Sequence, residues 1–266
     1  MMQVKPNPSP NLDVQQQIQY PVDNGLKLFF ARLTIFKSFV SMLLGDNSLQ
    51  TVGDMVDGLL QTPAYDLTAQ YLKQYPACAA LICDRYIPPA HDLETLLTYP
   101  HDSLGYIYAA TMKKAGFDPN LHAGMTAESD AHYVELRLSQ THDIWHIVTG
   151  FDTSPIGEIG LQAFHLPQFP YPLATMLVAN SLMSSTLFAP QELPQLLIAI
   201  AQGFQMGKSA KSLFAQKWEE DWEKPLTQWQ AELNIQPIRN SADESVGNWI
   251  GENVTSDFSR YVENPT

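Results

Sequence analysis

Apolar residues recur on a helical period along most of this chain. From Gly25 the run LKLFFARLTIFKSFVSMLLGD keeps that period and stops at Gly45, a residue suited to a left-handed C-cap. The same pattern predicts shorter helices over Met55–Leu60, Tyr65–Gln74, Leu93–Tyr99 and Ser103–Gly116, the last with Asp102 or Ser103 as N-cap. The clearest helix spans Asp130 to Thr149 and ends at Gly150. The run GFDTSP then predicts a tight turn, with Ser154 as N-cap and Pro155 at the first position of a second helix reaching about Leu166. Further helices are expected at Leu173–Phe188, Gln191–Met206, Ser209–Trp222 and Pro225–Leu233. No alternating run is long enough for a convincing strand, and no internal repeat is present. The expected fold is an all-α, single-domain helical bundle with a hydrophobic cavity over residues 25–236. Residues 1–24 read as a flexible polar arm rich in Pro, Asn and Gln, and residues 237–266 as a loose acidic tail.

Composition sharpens this picture. The chain has 266 residues, 45% apolar and 16% charged, a mix that implies much buried surface or a lipid-facing cavity. A chain this long can fold around its core without disulfides or metal, so any metal site is functional rather than structural. A net charge of −13 and the lack of a dense basic run exclude nucleic acid as a partner. The two cysteines, Cys78 and Cys83, are read as buried, reduced thiols, since their spacing fits neither a redox pair nor a zinc knuckle. The N-terminal residues carry no apolar signal segment and no Arg-rich amphipathic helix, so the expected location is cytoplasmic, with peripheral contact to the inner face of a membrane. Residues 159–191 lack Asp, Glu, Lys and Arg, but prolines interrupt them. Leu173–Ala189 falls short of the ~20 residues a membrane span needs, which leaves a buried core helix or the wall of a tunnel for a long apolar ligand.

Candidate chemistry concentrates in THDIWHIVTGFDTSPIGEIGLQAF. His142 and His146 are one helical turn apart on one face, a spacing that lets two imidazoles chelate a single borderline ion such as zinc. Asp143 sits about 100° further round the helix, where it could reach the ion edgewise or support a ligand. His146 lies as far before Gly150 as Glu158 lies after Ser154. If the two helices fold back on each other, these side chains stand at one height. Val134, Leu138, Trp145 and Val148 flank the histidines on one side, and Tyr133, Leu136, Ile144 and Ile147 cover the opposite face. The stripe of Glu135, Ser139, His142, Asp143 and His146 is thus expected to be partly buried, where a cation would satisfy several polar groups together.

Other candidates carry blander readings. GFQMGKS has the look of a phosphate loop but the wrong glycine spacing, and it follows a helix where a strand is required. His91, His101, His122, His132 and His165 are scattered and are expected at the surface or in satisfied hydrogen bonds. The acidic-aromatic run KWEEDWEKPLTQW is expected to pack its tryptophans inward.

The segment YVELRLSQTHDIWHIVTGFDTSPIGEIGLQAF resembles the signature of the Coq4 proteins of ubiquinone biosynthesis. Their HDxxHx11E pattern is filled by His142, Asp143, His146 and Glu158. Asp102-Ser103-Leu104-Gly105 with Tyr108 is similar to the family's DSLGxxY, and KWEEDWEKPLTQWQAELNI resembles its terminal helix around Trp218, Glu219, Glu232 and Leu233. The resemblance implies a divalent ion, usually taken as zinc, on the four HDxxHx11E residues, with Asp143 and His146 as the catalytic pair. It also implies a cavity for a polyprenyl chain and a role organising quinone-biosynthesis enzymes at a membrane surface. Replacement of a head-group carboxyl by hydroxyl has been linked to the family. Arg137 matches a basic position there, and its fork suits a carboxylate or phosphate of the ligand. The chain departs from some relatives at Ser139, where they carry a second arginine.

Three readings follow. The chain acts on the head group of a prenylated quinone precursor or prenyl phosphate held beside the ion. Or it is a non-catalytic prenyl-lipid-binding scaffold that presents the head group to partner enzymes, with the helix Leu26–Leu44 lying on a membrane or in a homodimer interface. Or it is a zinc hydrolase, a weaker reading because Asp143 stands where the zincin motif places Glu.

Overall fold

The structure is a computed structural model, and the residues described are 25–122 and 124–238. The polar arm at 1–24 and nearly all of the tail at 237–266 lie outside the described residues. Among these residues the chain is helical throughout, without a strand. Its helices are α1 (Gly25–Leu43), α2 (Leu49–Leu60), α3 (Pro63–Leu72), α4 (Pro76–Asp84), α5 (Leu93–Leu96) and α6 (Leu104–Ala115), followed by α7 (Asp130–Thr149), α8 (Pro155–His165), α9 (Pro172–Phe188), α10 (Leu193–Ser209) and α11 (Leu226–Glu232). The all-α expectation holds.

Local chemistry explains most boundaries. Ser48, Thr62, Asp92, Ser103, Ser129 and Ser154 each cap a helix with a side-chain oxygen that accepts a first-turn N–H. Gly116 and Gly150 end α6 and α7 in the left-handed conformation. One helix lies outside those expected and one expected helix is lost. The cysteine-bearing segment PACAALICD, to which the pattern assigns no helix, forms α4, with Pro76 opening it and Arg85 closing it at φ 50°; Cys78 is buried, but Cys83, expected to be buried, is exposed. Conversely, 209–222 is not a helix. There the Gln168 side chain donates to the carbonyls of Gly207 (2.6 Å) and Ala210 (3.2 Å) and accepts from the Leu213 N–H (3.3 Å). The Lys211 N–H is taken by the Leu233 carbonyl. A distant side chain and a distant strand of backbone thus satisfy groups that a helix would have paired internally. Only a single 3-10 turn, Trp218–Glu220, remains.

One core runs through the molecule, with Met55, Tyr65, Leu72, Leu104, Val134, Ile144, Trp145, Phe164, Phe214 and Trp218 at its centre. Helix α7 crosses this core and is buried on nearly every side, as its apolar perimeter predicts. Helix α8 lies chiefly against α10, where two glycines let the backbones nearly touch. A Cβ on Gly203 would stand 2.0 Å from the Gly160 carbonyl oxygen, and one on Gly207 2.1 Å from that of Phe164. These are the glycines of GFQMGKS, so that string serves helix packing.

Among the described residues no helix is long and apolar enough to cross a membrane. Yet α1 is far from sealed: Leu26, Phe29, Phe30, Leu33 and Phe36 are all more than half exposed, Leu26 by 72%.

Candidate metal centre

The turn between α7 and α8 sets the site. Gly150 accepts the left-handed cap at φ 79°, donates its N–H to the His146 carbonyl (2.8 Å), and leaves room for the returning chain. A Cβ there would lie 2.3 Å from the Ile238 carbonyl oxygen. Ser154 caps α8 through the Gly157 N–H at 3.1 Å. The chain then folds back over α7. Glu158 near the start of α8 meets His146, His165 at its end stacks on Trp145 at 4.6 Å, and Tyr171 beyond it reaches Glu135.

His142, His146 and Glu158 come together as a group able to hold an ion. The Nε2 atoms of the two histidines are 3.1 Å apart. Glu158 Oε2 lies 3.4 Å from the first and Oε1 3.2 Å from the second. Donors bound at 2.0–2.1 Å to one tetrahedral zinc ion stand roughly 3.3 Å from each other. The Nε2–Nε2 separation and each histidine's approach to its nearer oxygen of the one carboxylate all fall near that span, and one donor atom from each residue lies within 4.8 Å of the others. The His146 tautomer fits as well. Its Nδ1 lies 3.0 Å from the Phe151 carbonyl, which can only accept, so Nδ1 carries the proton and the Nε2 lone pair faces the triangle.

The electrostatics follow from this convergence. Burial works to raise the Glu158 carboxyl, but hydrogen bonds and charge from His142 and His146 outweigh it and pull the group down to about 2. Burial disfavours the charged His146 ring, but the hydrogen bond and charge of Glu158 prevail and raise it. His165 is different. Sealed in the core and donating to the Leu161 carbonyl at 2.8 Å, it is driven down to about 3 by burial and is neutral.

Asp143 stands outside this triangle. Its charge is felt by Tyr108 and His122 and also by His146. Tyr108 in turn meets His91 Nδ1 at 3.0 Å and stacks on Trp222. The DSLG segment is pinned to the same region by backbone bonds: Gly105 N–H to the Trp222 carbonyl, Leu104 to Lys224, and Leu226 to Asp102.

Arg137 does not meet the expectation of a free fork for an anionic head group. It is almost wholly buried, and its guanidinium binds Glu219 twice (2.7 and 3.0 Å) and the Gln216 carbonyl (2.8 Å). The reason lies in packing: α7 is buried on this side, so an arginine there must find an internal carboxylate, and the 3-10 turn supplies one.

A group not foreseen as a unit lies one stripe along. Glu135 is buried, and its Oε2 accepts from the hydroxyls of Tyr65 (2.6 Å) and Tyr171 (3.0 Å). Ser139 donates to its Oε1 at 3.3 Å. Spacing alone puts Glu135 on the stripe of Ser139 and His142, but neither tyrosine is legible from it.

A family model, Coenzyme Q (ubiquinone) biosynthesis protein Coq4, matches residues 52–239. Two curated relatives are a mitochondrial ubiquinone biosynthesis protein COQ4 from Uncinocarpus reesii, 29% identical over 54% of this chain and 51% of its own length, and one from Eremothecium gossypii, 31% identical over 55% and 46%. The chain thus spans about half the length of these curated relatives. A crystal structure from Nostoc punctiforme PCC 73102, of a protein provisionally named for ubiquinone biosynthesis, superposes with a TM-score of 0.70 at 32% identity, covering 81% of this chain and 98% of that one. On the breadth of the model match and the shared fold, this chain belongs to the Coq4 family of ubiquinone biosynthesis proteins.

Proposed function

We propose that this chain serves isoprenoid-quinone biosynthesis by engaging the aromatic head group of a prenylated precursor at a divalent cation held by His142, His146 and Glu158. The observation that carries this reading is the convergence of two imidazole Nε2 atoms 3.1 Å apart on one carboxylate, whose two oxygens lie 3.4 and 3.2 Å from them, separations of the size found between donors around one small ion. Two imidazoles and one carboxylate suit zinc, and three protein donors leave a position for an oxygen of the ligand. Bound there, the ion would supply Lewis acidity towards a ring carboxylate or phenolate.

The chain's own residues supply the rest. The Phe151 carbonyl holds the His146 tautomer, Glu158 supplies negative charge, and Asp143 stands beside His142 as the carboxylate free to accept a proton from the head group. A presentation role is favoured by α1. Its exposed apolar face carries Lys27, Arg32 and Lys37 and no acid, on a chain whose net charge is −13. Such a face suits an anionic lipid surface, or a second copy of the chain through its apolar part. Between α1 and α9, Ile35, Phe36, Phe39 and Met176 line an apolar groove of about 310 Å³ with Arg32 at its rim, a place for part of an apolar tail.

The test is zinc content and zinc affinity of the purified protein beside His146→Ala and Glu158→Gln, with mass spectrometry of co-purified lipids and turnover of a prenylated hydroxybenzoate. One ion per chain, lost in both variants, with a prenylated lipid present, supports the reading. Turnover lost with the ion makes the chain an enzyme, and lipid without turnover makes it a scaffold. Wild-type protein that takes up no divalent ion refutes it.

A further inference from the structure

Buried carboxylates are costly unless a positive charge answers them. Glu135 is such a group. The titratable side chains facing it are Tyr65 from α3, Tyr171 from the segment before α9, and His142 from its own helix. Among the described residues no lysine or arginine bridges it, whereas Arg137, two positions on, is fully matched by Glu219. Three hydroxyls solvate the carboxylate without neutralising it. Burial accordingly pushes the carboxyl up, against the pull of those hydrogen bonds.

The donor triangle has the opposite imbalance. Two neutral imidazoles and one carboxylate around a divalent cation leave one positive charge for groups outside the donor set, Asp143 among them, whose charge reaches His146. Glu135 shares the α7 stripe with His142, about two turns and roughly 10 Å along the axis. Ser139 lies between them, and its hydroxyl donates to Glu135. At such a separation opposite charges still interact through the protein, with part of the attraction screened because His142 and Glu158 are about a third exposed.

We propose that Glu135, held by Tyr65 and Tyr171, is a buried negative charge serving the cation centre in addition to Asp143: a positioning residue that contributes no donor atom but raises the centre's affinity for the ion. The inference rests on the cation reading above. It accounts for a buried acid that packing alone does not explain. It also gives Tyr65 and Tyr171 a task, since their hydroxyls hold the carboxylate in place and favour its ionised form against the burial.

The experiment is zinc(II) affinity, by competition with a chromophoric chelator, together with thermal unfolding of the metal-free protein. Glu135→Gln keeps shape and hydrogen-bonding capacity but removes the charge. Affinity should fall several-fold to about tenfold, the size expected for removing one unit charge ~10 Å from a partly solvent-screened cation. The metal-free melting temperature should hold or rise, because a buried charge has gone. Tyr171→Phe keeps the charge and should change affinity by only a few-fold. A purely structural role would make Glu135→Gln and Tyr171→Phe equally harmful to stability and would leave affinity untouched. Should Glu135→Gln fail to fold, Glu135→Met carries the same test. If wild type binds zinc, Glu158→Gln abolishes binding and Glu135→Gln leaves it unchanged, the inference on Glu135 is overturned and the cation centre stands. If wild type binds none, both are overturned.

Discussion

The close approach of α8 to α10 is a direct means of testing how the candidate site is assembled. Gly203 has no room for a methyl group: its Cβ would sit 2.0 Å from the Gly160 carbonyl oxygen, and real Cβ contacts do not fall below 3.0 Å. The obstacle is backbone, so no side-chain rotation relieves it. In Gly203→Ala the two helices must part by about 1 Å or more, and overpacking of this kind costs ~1–3 kcal/mol, more where backbone resists. For a chain of this size each kcal/mol lowers the melting temperature by about 2–4 °C. The effect should also reach the site. Glu158 rides on α8 two residues before Gly160, and the Glu158–histidine edges of 3.2 and 3.4 Å would stretch towards ~4 Å, beyond the ~0.2 Å tolerance of a metal site. Gly53→Ala is the matched control, since nothing lies within 4 Å of a Cβ there in the middle of α2. It should be neutral or stabilise by up to ~1 kcal/mol through helix propensity. Calorimetry and zinc titration of both variants decide the matter. A Gly203→Ala protein that melts and binds zinc like wild type would refute the reasoning.

Two further outcomes follow from buried charges. Because His165 is held neutral down to about 3 while a free histidine titrates near ~6.5, the unfolded chain binds the extra proton first. Stability should therefore fall as pH drops below about 6.5, by ~1.4 kcal/mol per unit. Glu158, pulled down to about 2, contributes stability that is present above about 4.5 and lost only below it, so it is silent between about 4.5 and 6.5; there His91 and His122, also lowered by burial, add to the slope of His165, and Glu135, raised by burial, opposes it. Urea melts across that window should show a slope in wild type that His165→Gln reduces by up to ~1.4 kcal/mol per unit; an unchanged slope rejects the assignment. Arg137→Met leaves the Glu219 carboxylate buried and unpaired and should cost ~3–5 kcal/mol, while Arg137→Met with Glu219→Leu should recover most of it. A double variant no more stable than the single one would show that the ion pair is not what holds the 3-10 turn to α7.

Much of this protein was legible in its linear order, because the relevant physics is local. Helix spacing put His142 and His146 on one face, Gly150, Ser154 and Pro155 specified a stop, a turn and a restart, and equal offsets from that turn brought Glu158 level with His146. The all-α class followed from the same periodicity and capping. Tertiary contacts decided the rest. Whether Arg137 met a ligand or Glu219 depended on a segment 82 residues away, and the loss of helix at 209–222 on Gln168, 45 residues before Leu213, and on the Leu233 carbonyl beyond it. That Asp143 falls outside the donor group and that two tyrosines hold Glu135 were equally invisible, since a helical stripe says which side chains share a face but not what that face meets. Local sequence can specify geometry only over a turn or two. Charge matching and close packing between distant segments arise only once the whole chain is folded.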